Sequence, residues 1–152
     1  MNQPDQKPLG RMIYFMAQDI KNLAEKVLAP YDLTLEQFQT LKVLSKTSGM
    51  TQRQLGLAIN KNPANMTRIL DRLEAKSLTI RQQDPADRRA YLIFLTDKGS
   101  ALRDMVVVVF DRFSANVHEG LTREMKQTTR NVLERMAANV ERIAAIMKND
   151  LK

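Results

Sequence analysis

The chain has no cysteine, no tryptophan and one histidine, and its aromatics are three tyrosines and five phenylalanines among 152 residues. Without cysteine there is no disulfide framework, no thiolate nucleophile and no cysteine redox switch. The lone His118, beside Glu119, lacks the clustered Cys or His partners a metal site needs. There is no Gly-rich phosphate loop, nucleophile elbow or metalloprotease motif. Asp84 and Asp87 form the nearest approach to a catalytic carboxylate pair, but a turn-forming segment lacks the walls that tune catalytic pKa values. No catalytic residue, metal or cofactor is therefore expected, and the chain does not read as an enzyme. Long apolar runs are also missing: none approaches the ~18 residues of a membrane span. Residues Met1 to Pro8 are polar and hold no signal-peptide core. The expectation is a cytoplasmic protein with no membrane partner, no internal repeats and no low-complexity tracts.

What is present suits a soluble domain, with 43% hydrophobic and 27% charged residues. Residues 1–8 read as a flexible tail and 9–152 as a single domain. The net charge is +7 and the isoelectric point about 9.9. Between Thr51 and Lys98 stand nine basic and five acidic residues, so this third of the chain carries over half of the excess. A polyanionic partner is favoured, although basic charge alone does not establish one.

The chain is organised around residues 51 to 96. Thr51-Gln52-Arg53-Gln54 has the spacing of a capping box. The helix it opens runs to about Ile59, because Asn60-Lys61-Asn62-Pro63 reads as a tight turn. Asn62 suits an N-cap and Pro63 the first helical position. The second helix places Met66, Ile69, Leu70 and Leu73 on one face and Ala64, Asn65, Thr67, Arg68, Asp71 and Arg72 on the other. Two short helices joined this way predict a helix-turn-helix, whose second helix enters a major groove. Leu78 to Arg81 and Tyr91 to Leu95 read as strands, separated by the charged turn Asp84-Pro85-Ala86-Asp87-Arg88-Arg89. There Asp84 is expected to help the turn and Asp87 to orient an arginine. A helix-turn-helix followed by such a hairpin is a winged helix.

Around this unit the rest is helical. Leu9, Met12, Ile13, Met16, Ile20, Leu23 and Val27 form a stripe that ends at about Ala29, before Pro30. Tyr14 and Phe15 fall off the stripe and are expected to pack on another helix or a second subunit. Thr34-Leu35-Glu36-Gln37 is a second capping box, opening a helix with Leu35, Phe38, Leu41 and Leu44 inward. After the wing, Thr96 caps a helix so apolar between Ala101 and Val117 that burial on several sides is expected. Gly120 suits its stop and Thr122 the cap of the last helix. Leu133, Met136, Val140, Ile143 and Met147 follow at steps of three and four, a seam that wants a helical partner.

The run D-P-A-D-R-R-A-Y-L-I-F-L-T-D-K-G, residues 84 to 99, and N-M-T-R-I-L-D-R-L-E-A-K, residues 65 to 76, resemble the signature of MarR-type transcription regulators. The resemblance implies a mainly α fold: a winged helix-turn-helix unit at 34–98, a small β-hairpin wing, and long dimerisation helices at 9–30 and 100–152. It also implies a short third wing strand near Gly49-Met50. The implied function is that of a homodimeric regulator of transcription, usually a repressor. It binds double-stranded DNA at a near-palindromic operator and is released by a small aromatic or lipophilic effector. A constitutive architectural DNA binder without effector is the alternative. An interaction module that has lost DNA affinity fits less well with Arg68, Arg88 and Arg89 in place.

Residue by residue, Ala64, Asn65, Thr67, Arg68 and Arg72 face the DNA, with Arg68 on either a guanine or a phosphate. Thr51, Gln52, Arg53 and Lys61 flank them as backbone contacts that set the register. The family's D-x-R element falls on Asp87 and Arg89, the arginine entering the minor groove and the aspartate holding it, with Arg88 on phosphate. The effector crevice would draw on Met12, Phe15, Met16, Phe38, Met105 and Val109, apolar residues on the helices that meet there. One departure is Ser77, where many members have glycine; serine tolerates a left-handed backbone less well.

Overall fold

The computed structural model describes residues 8–150, so the tail read at residues 1–8 lies, Pro8 apart, outside the described residues. Six helices and three strands follow in the order α1 (Leu9–Leu28), α2 (Leu35–Leu44), β1 (Met50–Thr51), α3 (Gln52–Ala58), α4 (Pro63–Ala75), β2 (Thr79–Gln83), β3 (Tyr91–Leu95), α5 (Asp97–Val117) and α6 (Arg123–Asp150). This is the mainly α winged helix-turn-helix anticipated above. The chain divides into two compact units, one ending at Ser114 and one beginning at Ala115.

Local chemistry sets the helix starts. Thr34 and Thr51 each accept from the N3 backbone N–H while Gln37 and Gln54 reach back, completing both capping boxes. Asn62 Oδ1 accepts from Asn65 N at 2.9 Å ahead of Pro63. Thr96 Oγ1 accepts from Gly99 N at 2.9 Å, and Thr122 Oγ1 from Met125 N at 3.2 Å.

Three helix ends share one device. Leu78 N donates to Leu73 O at 2.9 Å and Ser77 N to Glu74 O at 2.8 Å, the paired bonds of a Schellman turn. Ser77 holds the left-handed position, with φ 58°. Serine thus holds, in this chain, the left-handed position that favours glycine. The same pairing closes α3 through Asn60 (φ 54°) and the 3-10 turn Ala29–Tyr31 after α1 through Asp32 (φ 52°). This last turn holds Pro30, so α1 proper stops at Leu28.

The sheet order is β1-β3-β2, all antiparallel. β2 begins one residue later and ends two later than the sequence suggests, because Leu78 completes the helix-ending turn and is buried. Two apolar clusters hold the first unit. One gathers Leu28, Leu33, Phe38, Leu41, Leu73, Leu78 and Val106; the other Leu44, Leu55, Met66, Leu70 and Ile93. Half-buried Ile69 and Leu95 touch both. α4 therefore sits between α2 and the sheet with its opposite face free.

Of the long helices, α5 departs from expectation. Only Gly99 and Val106 of α5 are buried, while Met105 and Val108 lie open. Along α1 the stripe faces away from its own unit: Leu9, Met12, Met16 and Leu23 are exposed, and only Ala24 and Leu28 are buried. Tyr14 and Phe15 are exposed too, ring centroids 5.5 Å apart and edge to face. In α6, Leu133, Val140, Ile143 and Met147 are exposed.

Candidate nucleic-acid interface

α4 is amphipathic, and what it turns outward is polar and cationic. Ala64, Asn65, Thr67, Arg68, Asp71 and Arg72 are all exposed, opposite buried Met66, Leu70 and Leu73. Arg68 and Arg72 make no ion pair among the described residues, so their charge is available to an anion. The N-terminal half is tied to α3: Gln52 Nε2 donates to Thr67 Oγ1 at 2.7 Å and to Pro63 O at 3.2 Å. Thr67 donates in turn to Pro63 O at 3.0 Å. Gln52 and Thr67 are thus held in place before any ligand arrives.

Lys61 is placed differently. Its ammonium lies 3.3 Å from Glu36 Oε1, which also meets Lys21 at 3.2 Å. Burial pushes the Glu36 carboxyl up, but its own backbone N–H and the two lysines outweigh that and hold it below its ordinary 4.5. Glu36 therefore joins α1, α2 and the helix-turn-helix turn. Part of the Lys61 charge is already committed within the fold.

At the wing tip Arg88 and Arg89 are exposed. The loop is braced by two Asx turns: Ala86 N donates to Asp84 Oδ1 at 2.8 Å, and Arg89 N to Asp87 Oδ1 at 2.9 Å. Gln83 Nε2 donates to Arg88 O at 2.8 Å. Asp87 grips the Arg89 backbone, and among the described residues it makes no ion pair with either guanidinium. Asp87 thus shapes the loop that carries Arg89 and leaves the side chain free.

Sequence reasoning missed the joint between helix and wing. Arg81 on β2 forks to Asp71 Oδ1 at 2.6 Å and to the Glu74 carboxylate. Burial opposes the Arg81 charge, but the two carboxylates win and raise its pKa further. The signal was present: Asp71 and Glu74 are three apart on one helix face, with an arginine three residues into the following strand. Thr51 and Arg53 flank the same surface, Thr51 half-buried and Arg53 exposed.

The six effector residues do not form one group within the chain. Met12, Phe15, Met16 and Met105 are exposed, Val109 is half-buried, and Phe38 is fully buried in the core. Among the described residues no cluster of His, Cys, Asp or Glu could hold a metal, and no helix is long and apolar enough to cross a membrane.

Comparison with known proteins gives one picture. The MarR family model matches residues 33–91. The multiple antibiotic resistance protein MarR of Salmonella typhimurium is 31% identical over 118 residues, covering 78% of this chain and 80% of the relative. The DNA complex of MepR from S. aureus superposes with a TM-score of 0.83 at 25% identity, covering 88% of this chain and 99% of that one. CouR from Rhodococcus jostii, bound to p-coumaroyl-CoA, gives 0.78 at 25% identity, covering 86% and 92%.

Proposed function

Given that the chain belongs to the MarR family of transcription regulators, we propose that it is a homodimeric repressor released from a near-palindromic operator by a small aromatic or lipophilic ligand. The observation that carries the DNA half is the uncommitted cationic face: Arg68 and Arg72 on α4, with Arg88 and Arg89 on a braced wing tip. α4 reads base edges in the major groove through Asn65, Thr67 and Arg68, with Ala64 allowing close approach. Arg89 enters the minor groove, and Arg88, Arg53 and Thr51 set the register on phosphate. Lys61 contributes only what Glu36 leaves it.

Dimerisation is supported by the apolar residues left open along α1 and α6, whose burial needs a second copy. Two-fold symmetry then sets the two α4 helices about one helical turn, ~10 bp, apart. The effector crevice, where these helices meet the winged unit, takes its apolar lining from Met12, Phe15, Met16, Met105 and Val109. A ligand there releases DNA only by favouring a different α4 spacing, and operator DNA must weaken its binding by the same factor.

Fluorescence anisotropy with an inverted-repeat duplex selected from a random pool tests the reading. Affinity should fall steeply with salt as arginines displace counterions, and a scrambled duplex should bind far more weakly. Equal affinity for the two duplexes would sink sequence-specific regulation. For the effector, calorimetric titration with and without operator must give different affinities.

A further inference from the structure

Resting on the DNA reading above, we propose that Gln52 and Thr67 together read one A·T pair in each half-site. Gln52 accepts from the adenine amino group, and Thr67 packs its methyl on that of thymine. The fold has already used the hydrogen-bonding groups that decide this. Pro63 O can only accept, so the amide edge that Gln52 turns toward it, at 3.2 Å, is the amino edge. The same amino group also donates to Thr67 Oγ1 at 2.7 Å. Thr67 has a single hydroxyl proton, and it is directed to Pro63 O at 3.0 Å.

Both side chains are thus emptied of donors. Gln52 keeps Oε1 with its lone pairs, and Thr67 keeps an acceptor and the Cγ2 methyl. Thr67 is exposed on α4 and Gln52 half-buried at the start of α3, on the surface proposed to face the groove. Phosphate oxygens only accept hydrogen bonds and find no partner in either side chain. The major-groove edge of guanine offers acceptors alone and is refused for the same reason. Cytosine offers an amino donor, but its pair carries no methyl. An A·T pair is the one whose major-groove edge holds an amino group and a methyl together. The Gln52 side chain is thereby assigned to a base and not, as its place at the edge of the motif suggests, to the DNA backbone.

The same bonds make the reading selective. A free glutamine turns its amide to present a donor or an acceptor as the base demands. Gln52 turned over would set its oxygen against Pro63 O, two acceptors facing each other with neither satisfied. The base has to suit the side chain.

Anisotropy with a duplex selected from a random pool tests this, with two deletions scanned through the A·T pairs of a half-site. Deoxyuridine in place of thymidine removes the methyl, and deoxynebularine in place of deoxyadenosine removes the amino group. In wild type one A·T pair should respond to both. The methyl deletion should weaken binding about fourfold per half-site and the amino deletion about fivefold. Thr67→Ser keeps the hydroxyl and its bonds, and at that pair it should bind the thymidine and deoxyuridine duplexes equally. Gln52→Met should lose the amino response there and keep the methyl response. Each variant is compared with itself on two duplexes, so a general loss of affinity mimics neither result, and thermal melting of each serves as the fold control. Selective wild-type binding in which no A·T pair responds to both deletions would overturn the assignment. So would responses that persist unchanged in Thr67→Ser and Gln52→Met. Equal binding of selected and scrambled duplexes would refute the DNA reading itself, and the assignment with it.

Discussion

Replacing Arg81 with methionine separates how the interface is held together from what it touches. The methionine keeps an apolar stem on β2 and removes the fork to Asp71 and Glu74. Those carboxylates are 56% and 41% exposed, so each pair is screened and belongs in the surface range of ~0.2–1 kcal/mol. Together they give about 1 kcal/mol of stability per chain, a fall of ~2–4 °C in melting temperature for a protein of this length. DNA binding suffers separately, because two carboxylates on the helix that approaches the phosphates lose their counter-charge. At ~10 Å in water the single positive charge lost per chain is worth about 0.4 kcal/mol against a phosphate. Over both chains of the proposed dimer, and after screening by salt, operator affinity should fall less than about twofold. The salt dependence gives the decisive readout. Arg81 neutralises no phosphate in this arrangement, so the slope of log K against log salt should stay at the wild-type value. Arg89→Ala should instead weaken binding strongly and flatten the slope by ~0.9 for each phosphate no longer neutralised. Anisotropy across a salt series and thermal melting supply both quantities. A slope in Arg81→Met as shallow as in Arg89→Ala would make Arg81 a DNA contact. An unchanged melting temperature would show that the fork holds nothing together.

Three further outcomes follow from other parts of the molecule. A Cβ on Gly99 would stand 2.0 Å from the Leu78 carbonyl oxygen, a backbone atom that cannot swing aside, so Gly99→Ala should cost ~3 kcal/mol or more, read as a lower urea midpoint. Val140→Asp, in the exposed seam of α6, should convert the proposed dimer to monomer or unfolded chain in sedimentation, with DNA binding lost; a wild type that is itself monomeric at micromolar concentration would overturn this. The Glu36 carboxyl is held below 4.5, so its contribution is present above that pH and disappears as pH falls through the lowered value. Glu36→Gln should therefore show a shallower loss of stability below pH 4.5 in denaturant melts, while an acid limb identical to wild type would remove Glu36 from the account.

Much of this molecule was legible because its signals are local. Two capping boxes, Asn62-Pro63 and the apolar step of Met66, Ile69, Leu70 and Leu73 each act within one helical turn, and each stands where the sequence places it. β3 matched residue for residue, since Tyr91 to Leu95 has no competing turn signal. β2 shifted because the turn that ends α4 takes up Leu78, whose N–H donates to Leu73 O. Pairings across elements were harder to read for a different reason. Glu36 with Lys61 and Arg81 with Asp71 join residues 25 and 10 positions apart, and no short-range pattern records which surfaces meet. The apolar excess of α1 and α6 was readable, and in the proposed dimer a second copy covers it.

Thr51 holds two positions at once. It closes β1, paired with Leu92 of β3, and its hydroxyl caps α3. No spacer residue separates the wing sheet from the helix-turn-helix, and Arg81 ties the far side of the same sheet to α4. α4 and the wing tip, proposed to enter the major and the minor groove, are therefore set like the jaws of a caliper, their separation held by the Thr51 junction and the Arg81 fork. A half-site becomes a single template of fixed pitch. Inserting a base pair inside a half-site would force one jaw off its groove, and only the spacing between half-sites would remain adjustable, through the helices that join the two copies.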